Sequence, residues 1–125
     1  MKILVAEDEP VMLMAIVGKL KKDGYEVTSV SDGREALKAY ENNLPDLIIT
    51  DILMPYTSGL EFISVVKSGQ GSNIPIIVLS GIGEEATVME AFDLGADDFL
   101  TKPFNPVELS VRVKRLIKNS PAAKS

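Results

Sequence analysis

The chain has 125 residues, enough for one domain, and its 46% hydrophobic and 25% charged residues are ordinary for a globular protein. A net charge of −5 argues against a nucleic-acid-binding surface, and the absence of histidine and cysteine excludes imidazole catalysis, a histidine phosphodonor on this chain, disulfides and thiol chemistry. No apolar run approaches the roughly 20 residues of a membrane-spanning helix, and the amino terminus turns acidic too early for a signal peptide. We therefore expect a cytoplasmic domain that contacts neither a membrane nor nucleic acid directly.

Short apolar runs alternate with amphipathic stretches along the chain, the pattern of a parallel sheet covered by helices on both faces. The runs predict five strands, over residues 3–6, 25–30, 46–50, 76–79 and 99–101. Apolar residues at helical spacing predict five helices, around residues 13–20, 36–40, 60–66, 88–92 and 106–117. The second strand is the most polar of the five, which favours a position at a sheet edge.

The last helix has the strongest start signal. Asn105 can cap it, Pro106 stands just inside it, and Glu108 follows three residues after the cap. Residues 119–125 show no periodicity and are interpreted as a flexible tail or the start of a linker. The predicted domain therefore covers residues 1–118.

Five strand–helix units with right-handed crossovers predict an α/β fold, a doubly wound five-stranded parallel sheet with five helices. Of the two common strand orders, the flavodoxin-like order 2-1-3-4-5 suits a five-stranded chain. This order sets the ends of the first and third strands side by side, at the point where open α/β sheets place their functional sites.

Four predicted strands end on polar side chains. The first is followed by Glu7 and Asp8, the third by Asp51, the fourth by Ser80, and the fifth by Lys102. Because the carboxyl ends of parallel strands meet at one edge of the sheet, we expect three carboxylates, a hydroxyl and an ammonium group to converge there.

This set of groups suits metal-assisted phosphoryl transfer. Carboxylates held close together repel, and Mg²⁺, which prefers oxygen ligands, would remove the conflict. A carboxylate can also act as a nucleophile and form an aspartyl phosphate. Asp51 would attack phosphorus, while the metal and Lys102 neutralise the phosphoryl oxygens and Ser80 donates a hydrogen bond.

Each residue alone has a simpler interpretation. Glu7 and Asp8 could charge the first turn of the following helix, and Asp51 and Ser80 could be turn residues. Lys102 could be an ordinary surface residue. Independent turns, however, have no reason to supply charges of complementary sign around one point.

The motifs together resemble the response-regulator receiver domain of two-component signalling. The resemblance extends over about residues 1–118, with its landmarks in order at the strand ends. They are Glu7-Asp8, Asp51 followed by Met54-Pro55 and Gly59, Ser80-Gly81, and Lys102-Pro103-Phe104.

The resemblance implies a role for each site residue. Asp51 would be the phosphoacceptor, and Asp8, Asp51 and the backbone carbonyl of Leu53 would bind Mg²⁺, with Glu7 acting mainly through metal-bound water. The side chains that would contact the phosphoryl group are Ser80 and Lys102. The Lys102–Pro103 bond would be cis, and Phe99 would be the switch aromatic together with Ser80.

The resemblance also implies partners and an output. A sensor histidine kinase or phosphotransfer protein would donate the phosphoryl group, and the domain would be a switch rather than an enzyme. Phosphorylation would change the face made by the fourth helix, fifth strand and fifth helix. We expect a homodimer through that face, in which Asp97 and Asp98 exchange ion pairs with Arg112 and Arg115.

Two other functions fit parts of the sequence. A phosphohydrolase with an aspartyl-phosphate intermediate is the alternative, but the haloacid-dehalogenase type expects a second aspartate at the position of Leu53, and no segment is long enough to form a cap. The glycine pattern of residues 81–86 resembles a dinucleotide site. It follows the fourth strand rather than the first, and Glu84 and Glu85 would repel a pyrophosphate.

Overall fold

The computed structural model describes residues 1–119, in which strands and helices alternate strictly. The strands are β1 (Lys2–Ala6), β2 (Glu26–Val30), β3 (Leu47–Asp51), β4 (Ile76–Ser80) and β5 (Asp98–Thr101). The helices are α1 (Pro10–Lys22), α2 (Gly33–Asn42), α3 (Gly59–Lys67), α4 (Glu85–Asp93) and α5 (Pro106–Lys118). None of these helices combines the length and the apolar character that crossing a bilayer requires.

The five strands form one parallel sheet in the order β2-β1-β3-β4-β5, which confirms the predicted fold class and strand order. In three of the four strand pairings, Thr50 faces Ala6, Asp51 faces Leu79, and Ser80 faces Thr101. The carboxyl ends of β1, β3, β4 and β5 therefore lie nearly level, so the residues that follow them share one edge of the sheet.

Burial follows the position of each strand in the sheet. Every residue of β3 and β4 is buried, whereas every residue of β2 is partly or fully exposed, as its polar sequence predicts for an edge strand. Because side chains alternate between the faces of a strand, Ile48 packs with Phe62 of α3 on one face, while Ile49 packs with Leu109 of α5 on the other. A fully buried side chain of this kind stabilises the fold by about 1.5–3 kcal/mol.

Most of the helices begin at a side chain that accepts backbone hydrogen bonds. Glu9, Asp32 and Ser58 cap α1, α2 and α3, and Asn105 caps α5 with Pro106 following it, as predicted. Such a cap stabilises a helix by about 1 kcal/mol, because it satisfies an amide that the helix leaves unpaired.

The carboxyl end of the domain agrees with the predicted end of its last helix. Helix α5 ends at Lys118, and Asn119 is its C-cap. The rest of the predicted tail, residues 120–125, lies outside the described residues. The domain boundary at residue 118 therefore stays a prediction.

The start of α2 packs tightly against the loop that follows β3. The Gly33 N–H donates to the Pro55 carbonyl at 3.2 Å, and a Cβ atom at Gly33 would lie 1.8 Å from the Thr57 carbonyl oxygen. The Arg34 guanidinium lies 4.1 Å from the ring centre of Tyr56, which itself has a φ of 70°. Only glycine fits at position 33 without displacing this loop.

Candidate functional site

Three carboxylates lie together at the carboxyl edge of the sheet. Glu7, Asp8 and Asp51 each offer an oxygen atom, and these atoms lie within 4.8 Å of one another. Glu7 is fully buried and Asp51 is 6% exposed, whereas Asp8 is exposed to solvent. The neighbouring positions of β1 and β3 create this acidic cluster, and Asp8 marks its open side.

Lys102 is the cation that faces the acidic cluster. Its Nζ donates to Asp51 Oδ2 at 2.8 Å and lies 2.6 Å from Glu7 Oε1. Burial by itself would lower the pKa of Lys102, but the hydrogen bond to Asp51 and the nearby Glu7 outweigh it, so the pKa is raised. The ammonium group therefore stays charged and holds the two most buried carboxylates.

The backbone of β5 directs Lys102 toward that position. The Lys102 N–H donates to the Ser80 carbonyl at 2.7 Å, one residue beyond the end of the strand. The Lys102–Pro103 peptide bond is cis, as the resemblance implied.

Glu7 has a buried oxygen atom that lacks a hydrogen bond. Its Oε2 accepts a hydrogen bond from the Glu9 N–H at 3.1 Å. Its buried Oε1 has Lys102 as an ion-pair partner, but the contact lacks the angles of a hydrogen bond. Burial raises the pKa of Glu7 to about 7, and Asp51 adds to the rise while Lys102 opposes it.

The donor atoms of the cluster fit a divalent cation. When fully ionised, three carboxylates face one ammonium group, which leaves an excess of negative charge. All the donors are oxygen atoms, the ligands that Mg²⁺ prefers. Glu7 Oε1 has an ion pair but no hydrogen bond, and the pKa of Glu7 is raised; both indicate a site that gains from an added positive charge.

The loop after β3 begins directly at Asp51. The Leu53 N–H donates a long hydrogen bond of 3.4 Å to Asp51 Oδ1. A Cβ atom at Gly59 would lie 2.3 Å from the Asp51 carbonyl oxygen, so glycine is required where α3 begins. The metal-binding role of the Leu53 carbonyl stays a prediction.

Ser80 and Phe99 border one cavity of about 200 Å³, which lies between α4 and β5. Ser80 is buried and is the last residue of β4. It follows two residues after Val78, which faces Thr50 of β3. Phe99 is 39% exposed and packs edge-on against Phe92 of α4, with 5.8 Å between the ring centres. Both side chains therefore border the same unfilled space.

A second ion-pair cluster, which we call the β5–α5 cluster, joins Asp98 of β5 to Arg112 and Arg115 of α5. Asp98 accepts hydrogen bonds from Arg112 Nη1 at 2.8 Å and from Arg115 Nη2 at 2.7 Å. Asp97 instead pairs with Lys67 at 3.4 Å and accepts a hydrogen bond from a β4 amide. Asp98 thus forms ion pairs with both arginines of its own chain, whereas Asp97 forms its ion pair with Lys67 of α3.

Sequence reasoning missed the contact made by Glu84 at the start of α4. Glu84 Oε2 accepts a hydrogen bond from the Gly81 N–H at 2.9 Å, next to Ser80. The only available signal in the sequence was the spacing of a carboxylate three residues after a glycine, which is too common to single out a contact.

Comparison with known proteins gives a consistent result at the level of the family. The family model described as the response regulator receiver domain matches residues 3–114. The chain is 39% identical over 122 residues to the alkaline phosphatase synthesis transcriptional regulatory protein PhoP of Bacillus subtilis, covering 98% of this chain and 50% of that protein. It is 42% identical over 118 residues to Response regulator RR06 of Streptococcus pneumoniae, covering 94% of this chain and 54% of that protein. The chain thus spans about half the length of these curated relatives.

Solved structures agree with the observed fold. A putative response regulator from Chloroflexus aurantiacus superposes with a TM-score of 0.88 at 33% identity, covering 94% of this chain and 98% of that chain. The chemotaxis response regulator CheY4 of Vibrio cholerae superposes with a TM-score of 0.86 at 33% identity, covering 92% of this chain and 97% of that chain.

Proposed function

The chain belongs to the response regulator receiver domain family, and from this premise we propose that it is a signalling switch activated by phosphorylation of Asp51. The observation that carries the proposal is the surroundings of that carboxylate. Asp51 lies with Glu7 and Asp8 in the acidic cluster, and Lys102 Nζ lies 2.8 Å from its Oδ2. A nucleophile, an anionic metal site and a fixed cation therefore share one edge of the sheet.

The chemical step is a displacement at phosphorus. One oxygen of Asp51 forms a bond to the phosphorus atom as the bond between phosphorus and its donor breaks, so the leaving group departs with that electron pair. The donor is a phosphohistidine, whose imidazole nitrogen is the leaving group, or a small acyl phosphate, which releases a carboxylate. Lys102 neutralises charge on the phosphoryl oxygens, and Ser80 donates a hydrogen bond to one of them.

We propose Mg²⁺ as the cofactor, held by Glu7, Asp8, Asp51 and the backbone carbonyl of Leu53. When bound, Mg²⁺ supplies the positive charge that the incoming phosphoryl group needs. The excess of carboxylates supports this assignment, as does Glu7 Oε1, which is buried without a hydrogen bond. Asp8 lies on the exposed side of the cluster, where a phosphodonor has access.

In this proposal, phosphorylation changes the face made by α4, β5 and α5, and that face controls the output. Ser80 and Phe99 border the same cavity of about 200 Å³. When the Ser80 hydroxyl turns to a phosphoryl oxygen, Phe99 gains room to turn inward, which changes the surface between α4 and β5. A homodimer through this face, residues 1–118 as the signalling unit, and a cytoplasmic location all belong to the proposal.

The proposed partners follow from the same chemistry. A sensor histidine kinase or a phosphotransfer protein would be the donor, as for the receiver domain family to which the chain belongs. The domain itself would bind no nucleic acid, given its net charge of −5. It would assist its own phosphorylation and dephosphorylation without turning over an external substrate.

Phosphorylation by acetyl phosphate tests the proposal. Incubation with acetyl phosphate and Mg²⁺, followed by intact-protein mass spectrometry, is expected to show one added phosphoryl group, released acetate balancing the transfer. Asp51→Asn should abolish the addition, whereas the matched variant Asp98→Asn, which removes another buried carboxylate, should retain it. Unchanged incorporation in Asp51→Asn would overturn the assignment. Sustained hydrolysis of small phosphate esters would favour the phosphohydrolase instead.

A further inference from the structure

The backbone amide of Gly81, next to Ser80, already donates its hydrogen bond to an anionic side chain. The Gly81 N–H donates to Glu84 Oε2 at 2.9 Å. A Cβ atom at Gly81 would lie 3.0 Å from Glu84 Oε1, a tighter contact than most Cβ atoms make. The glycine therefore leaves the space in which the carboxylate lies over the end of β4.

Helix capping does not account for this contact. Glu84 is the N-cap residue of α4, yet its side chain accepts no hydrogen bond from the amides of that helix. Asp32 and Ser58, at the same position of α2 and α3, each accept one from the residue three positions later. The Glu84 carboxylate turns backward instead, to the loop between β4 and α4. Its removal would therefore take no cap away from α4.

The Gly81 N–H faces the side of the sheet on which Asp51 lies. The Ser80 carbonyl points toward β5, because it accepts a hydrogen bond from the Lys102 N–H at 2.7 Å. In a trans peptide the carbonyl and the following N–H point in opposite directions, and Lys102–Pro103 is the cis bond found in residues 1–119. The N–H of Gly81 therefore points away from β5 and toward the β3 side.

We infer that Glu84 is an internal competitor for the phosphoryl group, an inference that rests on the proposed function. In the resting domain the Glu84 carboxylate takes the Gly81 N–H; once Asp51 carries a phosphoryl group, a phosphoryl oxygen takes that N–H and displaces the carboxylate. Both acceptors are anionic oxygens, which form stronger hydrogen bonds with an amide than neutral acceptors do. Their like charges also disfavour simultaneous occupation of the site.

The displacement would couple the site to α4. Glu84 immediately precedes the first residue of that helix, and Val88 and Phe92, one and two turns on, border the cavity beside Phe99. Release of Glu84 frees the short loop of residues 81–84 to move. The internal carboxylate thus holds the resting position of the loop, and the phosphoryl group must overcome it.

Two substitutions at one position separate the charge from the contact. Glu84→Gln keeps the shape and an acceptor oxygen but removes the charge, and Glu84→Ala removes both. We expect the initial rate of phosphorylation by acetyl phosphate to rise on the order of tenfold in Glu84→Ala, as the loss of a competing charge-assisted hydrogen bond implies, and by less in Glu84→Gln. Glu85→Gln is the matched control, because Glu85 is the exposed next residue and the charge change is the same.

Amide NMR provides a second readout that a purely structural role would not move. The Gly81 N–H resonance of the unphosphorylated parent is expected downfield, and it should move upfield in Glu84→Ala. Phosphorylation should return it downfield in Glu84→Ala and leave it downfield in the parent. Parent-like rates in both Glu84 variants would overturn the inference, as would an equal acceleration in Glu85→Gln. Those outcomes leave phosphorylation of Asp51 intact, whereas a parent that takes up no phosphoryl group would remove both the function and the inference.

Discussion

The acidic cluster and the β5–α5 cluster are both built from carboxylates and cations. Only in the β5–α5 cluster does every buried carboxylate oxygen accept a hydrogen bond. In the β5–α5 cluster each oxygen of Asp98 accepts a hydrogen bond from its own arginine, and Arg112 also reaches Glu108 at 3.2 Å. In the acidic cluster Lys102 alone forms ion pairs with the two buried carboxylates, those of Glu7 and Asp51. The buried Glu7 Oε1 has no hydrogen bond.

This difference separates a structural cluster from a functional one. The β5–α5 cluster satisfies its groups with partners that the chain supplies, and it joins β5 to α5. The acidic cluster keeps an excess of like charge in a buried position, which is unfavourable until a cation or a proton arrives. A site that stays incomplete in the folded chain is able to respond to a ligand.

Removing one cation from each cluster should give the largest contrast. Lys102→Met leaves Glu7 and Asp51 without their partner, so we expect the metal-free domain to lose about 2–3 kcal/mol of unfolding free energy at pH 8. Arg115→Met should cost less than about 1 kcal/mol, because that side chain is 60% exposed and Arg112 still holds Asp98. Urea denaturation of both variants measures the contrast, and equal losses would contradict it.

The acidic cluster should also give the domain a pH dependence of its own. The pKa of Glu7 is raised from 4.5 to about 7 in the folded state, so between these values the native chain binds a proton that the unfolded chain does not. The unfolding free energy contributed by Glu7 is therefore full below pH 4.5 and declines as the pH rises to about 7.

Glu7→Gln is expected to remove this decline and to make the metal-free domain more stable than the parent above pH 7. Denaturation with a chelator present, at several pH values, measures the effect. The matched variant Glu108→Gln, at the exposed end of the β5–α5 cluster, should keep the parent's slope. A parent stability that does not change between pH 4.5 and 7 would count against the assigned shift.

Magnesium affinity should depend on one cluster and not on the other. Asp8→Ala removes an exposed carboxylate of the acidic cluster, and we expect Mg²⁺ to bind at least about tenfold more weakly. Asp98→Ala should leave the affinity unchanged. Isothermal titration with MgCl₂ measures these affinities. The affinity of Glu7→Ala should lie between those of Asp8→Ala and Asp98→Ala. Equal affinities for all variants would mean that the carboxylates do not form the metal site.

The smallest effect concerns dimer formation through α4, β5 and α5. Asp98 already holds Arg112 and Arg115 within one chain, so pairs exchanged across an interface would replace existing ones and each contribute about 0–1 kcal/mol. Any dimer should therefore weaken as salt rises. Sedimentation with and without a phosphoryl mimic, at low and high salt, measures this; a monomer under all conditions would count against the dimer.

The fold was predictable because its signals are local and repeated. Runs such as residues 47–51 and 76–80 are buried on both faces of the sheet, and their uniform apolar character predicts that position. The strand order followed from general rules for parallel sheets, and the start of α5 from Asn105 and Pro106. The convergence of Glu7, Asp8 and Asp51 then required only that neighbouring strands end at one edge.

Other features of the site depend on side-chain directions that spacing does not determine. The sequence did not indicate that Glu7 is fully buried while Asp8 is exposed, because both follow the same strand. Asp97 and Asp98 are adjacent and chemically identical, yet they pair on opposite sides of β5. The backward turn of Glu84 to the Gly81 N–H becomes visible only with the backbone in place.

The close approach at Gly33 has a consequence for how the domain opens. The Gly33 amide is bonded to the Pro55 carbonyl and has the Thr57 carbonyl against its Cα, so it cannot exchange its hydrogen with solvent until the loop after β3 lifts away. The start of α2 and that loop would therefore open as one cooperative unit in native-state hydrogen exchange. An amide on α2 thus reports the local opening of the loop that begins at Asp51.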